Sequence, residues 1–316
     1  MYNENISSLA KKIIENVSKV IFNKEKQIKY IITALLCNGH VLLDDIPGTG
    51  KTSLAKALAK SISSDCKRIQ FTPDLLPSDI TGINYYNQQK NEFIFRKGPI
   101  FTNIVIADEI NRTTPRTQSA LLECMEEFQT TIDGVTYQLD KPFFVIATQN
   151  PIESQGTFPL PEAQIDRFFM KLSLNYPNRE GELKILDEYI LANPLLSVRE
   201  VCAKKDIAEA ADNVKNVKVG VSVKNYILNI ISATRESDKI RLGVSPRGTL
   251  MLMKASQAYA AIEGRDFVIP DDVKAVGIPV LAHRIIARSQ NTIRITETNE
   301  NIIEYILDKT NVPIEY

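Results

Sequence analysis

The chain has 316 residues, 44% hydrophobic and 24% charged, which is the balance of an ordinary globular protein, and at this length two domains are expected over one. Its 38 basic and 38 acidic residues cancel, and the two sides of Pro177 are each balanced, which argues against a body built to lie on nucleic acid. Four scattered cysteines without a C-x-x-C pair and only two histidines speak against zinc and disulfide frameworks. The opening MYNENISSLAKKIIENV lacks the unbroken apolar run of a signal peptide and no stretch has the length of a membrane span, so a reducing, cytoplasmic setting without membrane insertion is expected.

In chain order, residues 24–38 place Ile28, Ile31, Ile32, Leu35 and Leu36 at helical spacing, and HVLLDD then reads as a strand entering a turn and a second helix. KRIQFT (67–72), NIVIAD (103–108), FFVIAT (143–148) and FFMKLSL (168–174) are short apolar runs separated by helical or loop material. That rhythm predicts a parallel sheet covered on both faces. Two insertions interrupt it: residues 83–97 alternate around a polar turn, and 130–139 carry Asp133-Gly134 between β-branched residues, the mark of a hairpin. Most of Tyr85, Tyr86, Phe93 and Phe95 are expected to pack these small sheets. After Tyr176-Pro177 the pattern turns helical, near 179–191, 205–214, 222–236, 247–262 and 271–287, without strong strands. The expected division is an α/β domain over 1–176 and an all-α domain over 177–316.

The turn after the first strand reads DDIPGTGKTS, nearly the phosphate loop G-x-x-x-x-G-K-[ST], with Asp45 where the first glycine belongs. Between a strand and a helix such a loop offers free N–H groups and a helix dipole to an anion. Lys51 would reach the β- and γ-phosphates and Thr52 would offer its hydroxyl to Mg²⁺. Pro47 restricts the turn, while Gly48 and Gly50 let the main chain approach the phosphates. The first position mainly turns the chain off the strand, which aspartate can do, provided that the Asp44 and Asp45 carboxylates point away. A loop of this shape without a ligand is the alternative, and two further motifs weigh against it. NIVIADEIN ends a strand in Asp108-Glu109, where one carboxylate can hold the Mg²⁺ shell and the other polarise the attacking water. FFVIATQNP brings Asn150 to the same carboxyl edge if its strand lies alongside.

These residues resemble the MoxR group of AAA+ ATPases. The similarity runs from about 17 to 290, through IADEINRTTPRTQSALLECMEE, FFVIATQNPIESQGTFPLPEAQIDRFFMKL, GVSPRGTLMLMKASQAYAAIEGRDFVIPDDVKAV and LAHRI. It implies a five-stranded parallel P-loop core with a C-terminal helical lid, working as a homo-oligomeric ring, usually six-membered, with ATP or ADP and Mg²⁺ at subunit boundaries. Asp45, Ile46, Pro47, Gly48, Thr49, Gly50, Lys51, Thr52 and Ser53 would form the cradle, with Thr52 and Asp108 toward the metal and Glu109 as catalytic carboxylate. Asn150 resembles sensor 1, Arg247 resembles sensor 2, expected to act in cis, and Arg167 resembles the arginine finger acting on the next subunit. Ile21 matches the adenine-lining segment, although Phe22-Asn23 depart from the usual Val-Gly. Arg112 and Arg116 would face a neighbour's nucleotide or its acidic surface.

The implied work is chaperone-like remodelling of a protein client, with the hairpins transmitting motion. Partners carrying a von Willebrand factor A domain are common in the group, and this chain contains none. A nucleic-acid motor is the competing expectation, disfavoured by balanced charge and by an acid at the IDGV tip. A slow nucleotide-dependent assembly switch is the third.

Overall fold

The computed structural model describes residues 2–150, 156–288 and 297–313, so the 151–155 part of the NPIESQ string lies outside the described residues. Helices α1 (Tyr2–Val17) and α2 (Glu25–Leu36) precede β1 (Val41–Asp44), which enters the loop and α3 (Lys51–Ser61). Next come β2 (Cys66–Gln70), a short α4 (Pro77–Thr81), and a hairpin of β3 (Gly82–Asn87) and β4 (Glu92–Lys97). β5 (Ile104–Asp108) leads to α5 (Pro115–Glu127), and a second hairpin of β6 (Gln129–Ile132) and β7 (Val135–Gln138) leads to β8 (Phe144–Gln149). A short α6 (Glu162–Ile165) and β9 (Met170–Leu172) complete this half. The remainder is α7 (Arg179–Leu191), α8 (Lys204–Val214), α9 (Val221–Glu236), β10 (Ile240–Leu242), α10 (Pro246–Ile262), α11 (Pro270–Leu281), β11 (Ile286–Ala287) and α12 (Asn299–Lys309).

The main sheet has five strands, all parallel, in the order β2-β5-β8-β1-β9. Its three central strands β5, β8 and β1 are largely apolar because both faces are covered, while the edge strands β2 and β9 carry Lys67, Arg68, Gln70 and Lys171. Leu43, Ile106 and Ile146 point into one buried cluster with α1, α2 and α3, and Leu42, Val105 and Val145 point into another with Leu121 and Leu122 of α5. Parallel pairing brings all five carboxyl ends to one edge, with Asp44 opposite Gln149 and Gln70 opposite Asp108. This is the α/β core expected from the sequence.

Helix α5 fixes what stands at the other edge. Pro115 starts it, where a missing N–H is harmless, and Phe128 in a left-handed conformation (φ 53°) closes it by donating its N–H to Cys124 O. Its 13 residues run back about 20 Å along the core. At its end His40, one residue before β1, accepts from Val145 N–H at Nδ1 (3.0 Å) and so donates from Nε2 to Met125 O (2.8 Å). Glu126 therefore lies at the amino edge of the sheet.

Helices α1 and α2 belong to both halves. Asn16 donates to Ser61 Oγ and to Arg199 O, Tyr30 donates its hydroxyl to Ala275 O (2.8 Å), and one buried cluster runs from the sheet through α1 and α2 into α8–α11. A division at 176/177 follows the chain, while the apolar core is shared across it.

Two expectations are corrected. The helix expected over 271–287 stops at Leu281; residues 282–284 form a 3-10 turn and Ile286–Ala287 pairs antiparallel with β10, so the second half does contain a small sheet. Strands of two or three residues leave no alternation to read. The strand expected over 168–174 is only Met170–Leu172: Phe168 N–H turns back to Ile165 O, and the N–H groups of Leu174 and Asn175 go to the Asp45 carboxylate. Of the hairpin aromatics, Phe95 stacks on Tyr137 at 4.3 Å and Tyr86 meets Phe93 edge-on across the hairpin at 5.4 Å, so most of them do pack the small sheets, although Phe93 is 73% exposed and Tyr85 and Tyr86 nearly half exposed.

Candidate active site

The loop leaves a buried strand and enters a helix through two glycines with positive φ, Gly48 at 85° and Gly50 at 88°, the second being the N-cap of α3. Side chains resist that conformation, so glycine is required there. Lys51 Nζ donates to Asp45 O (2.9 Å) and Ile46 O (3.1 Å), which holds the ammonium at the mouth of the loop. Thr49 donates its hydroxyl to Ile46 O (3.4 Å), while Thr52 and Ser53 stand half-buried in the first helical turn. Pro47 and Gly48 are exposed.

Both doorway carboxylates turn away. Asp45 is buried and accepts from Ser173 Oγ (2.8 Å), Leu174 N–H (2.6 Å) and Asn175 N–H (3.0 Å), stitching the loop to the end of β9. Asp44 pairs with Lys171 at 2.6 Å. Asp45 thus contributes its backbone to the cradle, and its side chain faces β9.

At the same edge, β5 delivers Asp108 and Glu109. Asp108 Oδ1 accepts from Thr148 Oγ1 (2.6 Å) and Oδ2 from Arg68 Nη2 (2.6 Å). Glu109 adopts a left-handed conformation (φ 58°, ψ 49°) that turns the chain off the strand. Its N–H donates to Thr148 Oγ1 (2.9 Å), and its carboxylate accepts from Gln70 Nε2 (2.8 Å) and pairs with Arg112 Nε (3.3 Å). Arg112, expected to face a neighbour, is thus engaged within its own subunit, whereas Arg116 is exposed. Asn150, half-buried, follows β8 directly at this edge.

A cavity of about 630 Å³ opens over the loop, floored by Gly48, Thr49 and Gly50 and walled by Ile21, Phe22 and, from α7, Tyr189. Ile21 lies so close that a Cβ on Gly50 would come within 3.3 Å of its Cδ1. Asn23 stands at φ 56°, a conformation asparagine tolerates, so its replacement of the usual glycine leaves the segment in place. Asn23 Nδ2 donates to Asn178 Oδ1 (2.9 Å), and Asn178 caps α7, which ties one cavity wall to the other. The fit to a magnesium nucleotide is good. The cavity is concave and largely apolar, the first turn of a helix opens at its floor with the Lys51 ammonium held over the adjoining loop carbonyls, and Thr52 and Asp108 are hard oxygen donors of the kind Mg²⁺ takes. Thr148 holds one oxygen of Asp108, and the other meets the half-exposed Arg68, which can move aside. Among the described residues no cluster of three or more His, Cys, Asp or Glu could hold a metal, so a cation here would also rely on phosphate oxygens and water.

Arg167 and Arg247 are absent from this edge. Arg167 Nη1 lies 3.3 Å from Glu126 Oε2 and Arg247 Nη2 lies 3.0 Å from Glu126 Oε1. Since Glu126 sits at the amino edge, both arginines are a strand length, about 13 Å or more, from the loop of their own subunit. Arg247, expected to act in cis, is delivered by the turn ahead of α10 beside Arg167, at the edge opposite its own loop.

A family model for ATPases associated with various cellular activities (AAA) matches residues 40–170, and an AAA lid domain model matches residues 232–306. Over 290 residues, 89% of this chain and 76% of the other, the sequence is 37% identical to chaperone MoxR1 of Mycobacterium tuberculosis. The chain belongs to the MoxR family of AAA+ ATPases. It is also 48% identical over 314 residues, 99% of this chain and 98% of the other, to the uncharacterized protein YeaC of Bacillus subtilis (strain 168). A crystal structure of a protein assigned as an ATPase from Cytophaga hutchinsonii has a TM-score of 0.90 at 39% identity, covering 99% of this chain and 97% of that one.

Motif reading of this MoxR protein missed the residues that hold the motif residues. Thr148, Gln70 and Arg68 dress the two carboxylates, yet each lies about forty positions away in sequence. The one available signal was register: strand ends that pair side by side put Gln70 beside Asp108. LAHRI carried no role in the sequence reading. Its Arg284 is buried, sits 2.9 Å from Asp166 Oδ1, and donates to the carbonyls of Phe168, Phe169 and Val280, so it clamps the segment that bears Arg167. Among the described residues no helix is long and apolar enough to cross a membrane.

Proposed function

We propose that this MoxR protein is an ATP-hydrolysing ring motor whose active sites are shared between adjoining copies and whose work is the remodelling or maturation of a protein client. The observation that carries the reading is the opposition of edges: the loop, Asp108 and Glu109 at the carboxyl edge, Arg167 and Arg247 at the amino edge. A guanidinium can reach a γ-phosphate in this arrangement only on the next subunit, and a head-to-tail contact of that kind gives a ring when its rotation closes.

In each site Lys51 and the first turn of α3 would bind the phosphates, Ile21 and Phe22 the adenine, and Thr52 with Asp108 the metal shell. Mg²⁺, when bound there, would supply neutralisation of phosphate charge. Glu109 would polarise the attacking water and Asn150 orient it, while the neighbour's arginines take up charge as the γ-phosphoryl departs, an effect worth about 10³ to 10⁵ in rate for a finger. The exposed Tyr85, Tyr86 and Phe93 on the β3-β4 hairpin suit contact with a protein client, whose identity, a von Willebrand factor A domain protein among the candidates, is open to capture.

The test uses the full chain. Lys51→Ala should abolish nucleotide binding, Glu109→Gln should bind ATP and retain it, and Arg167→Ala should bind normally yet turn over slowly. Mixing Lys51→Ala with Arg167→Ala should restore part of the turnover, because one copy keeps the cradle and the other the cation. Full activity of Arg167→Ala, or a mixture that stays inactive, would end the shared-site reading.

A further inference from the structure

Three distant segments converge on one carboxylate. Glu126 ends α5 of the core, Arg167 lies between α6 and β9, and Arg247 opens α10 of the lid; among the described residues, the ion pairs of both arginines end on Glu126. Each oxygen takes one arginine, Oε2 that of Arg167 and Oε1 that of Arg247. A guanidinium has five N–H donors, and these pairs engage one nitrogen of each, leaving other donors on both for an anion. Two cations held this closely repel one another unless a counter-charge lies between them. Glu126 supplies it and leaves the trio with one net positive charge.

The residues next to the two arginines are fixed as well. Asp166 lies 2.9 Å from the buried Arg284, and Ser245 Oγ stands 3.5 Å from Asp166 Oδ2, joining the turn before Arg247 to the turn before Arg167. The backbones are thus set by one contact and the side chains by another. An exposed ion pair placed at random would show no such support.

We propose that Glu126 is a positioning residue for the cations donated to the neighbouring subunit: it couples Arg167 of the core to Arg247 of the lid so that both arrive together at one γ-phosphate. This rests on the shared-site reading above. Glu126 touches neither nucleotide nor metal in its own subunit, and its effect should appear only in the copy that receives the arginines.

The experiment is steady-state ATP turnover of full-length Glu126→Gln, alone and mixed with Lys51→Ala, beside the Arg167→Ala and Lys51→Ala mixture as reference. Glu126 is 35% exposed, so Glu126→Gln should keep the unfolding midpoint of the unaltered chain. The expected result is a kcat lowered about 10-fold or more with KM for ATP within about 3-fold, the signature of an interaction made in the transition state. Addition of Lys51→Ala copies should restore turnover, since they lend intact arginines to the intact cradles of Glu126→Gln. As a second measurement, Glu126→Gln should lose most of its effect in an Arg247→Met background, because the two act as a unit. A kcat within about 2-fold of normal would mark an ordinary surface pair, worth about 0–1 kcal/mol, and overturn the proposal. So would a loss that mixing fails to repair while the Arg167→Ala reference mixture recovers, since Glu126 would then act within its own subunit. If the reference mixture itself stays inactive, the shared site falls and the proposal with it.

Discussion

The Thr148 hydroxyl donates to Asp108 Oδ1 at 2.6 Å across the boundary between β8 and β5. Thr148 Oγ1 in turn accepts the Glu109 N–H, so one threonine holds the Asp108 carboxylate and the main chain of Glu109. Thr148→Val keeps the shape and removes both bonds. We expect single-turnover hydrolysis to slow about 10-fold while nucleotide affinity stays within about 3-fold, because loop and cavity are untouched. Equal losses in both would assign Thr148 to binding.

Arg284 and Asp166 should respond unequally to mutation. The guanidinium side chain is 1% exposed and Asp166 is 25% exposed. Burial draws the Arg284 pKa down to about 10, with Asp166 acting against that, so it is a cation at neutral pH. Asp166→Ala strands this buried charge, a loss of about 3–5 kcal/mol in such cases, whereas Arg284→Met leaves a carboxylate that water can reach. Urea unfolding midpoints should therefore fall further for Asp166→Ala, at unchanged slope. The reverse order would contradict this account of the clamp.

Acid should weaken the fold through His40. Burial lowers its pKa to about 4 from an ordinary 6.5, only partly offset by the bond to Met125 O. The unfolded chain then binds more protons between those values. Stability from this group is complete above about pH 6.5 and lost as pH falls toward about 4, with a slope up to about 1.4 kcal/mol per pH unit. His283, lowered in the same direction by burial and then by Arg284 beside it, adds to the trend. Denaturation curves across this range should be less steep in pH for His40→Gln, and an unaltered slope would exclude the assignment.

How much was legible depends on distance along the chain. The loop could be read because its glycines, Lys51 and Thr52 must sit at fixed spacing between a strand and a helix, and Asp108-Glu109 because they close a buried strand fifty-seven residues after Lys51 with another strand between. Asp45 was expected to point away, and the structure adds what it points at: Ser173, Leu174 and Asn175. Glu126 was not legible, since nothing in CMEEF says which arginines meet it after folding. GVSPRG gave the residue type at Arg247 but not the edge of the sheet that receives it. The edge is decided by α5 running the height of the core.

The apolar interior shared by α1, α2, one face of the sheet and α8–α11 bears on how fuel becomes force. A hinge needs a plane of weak contact, and here the plane between base and cap is filled with Ile, Leu and Val side chains that would have to meet water before the two could part. Each protomer should then travel as one stiff block. Strokes would arise at the seams between blocks, where an arginine from one presses on the phosphate of another.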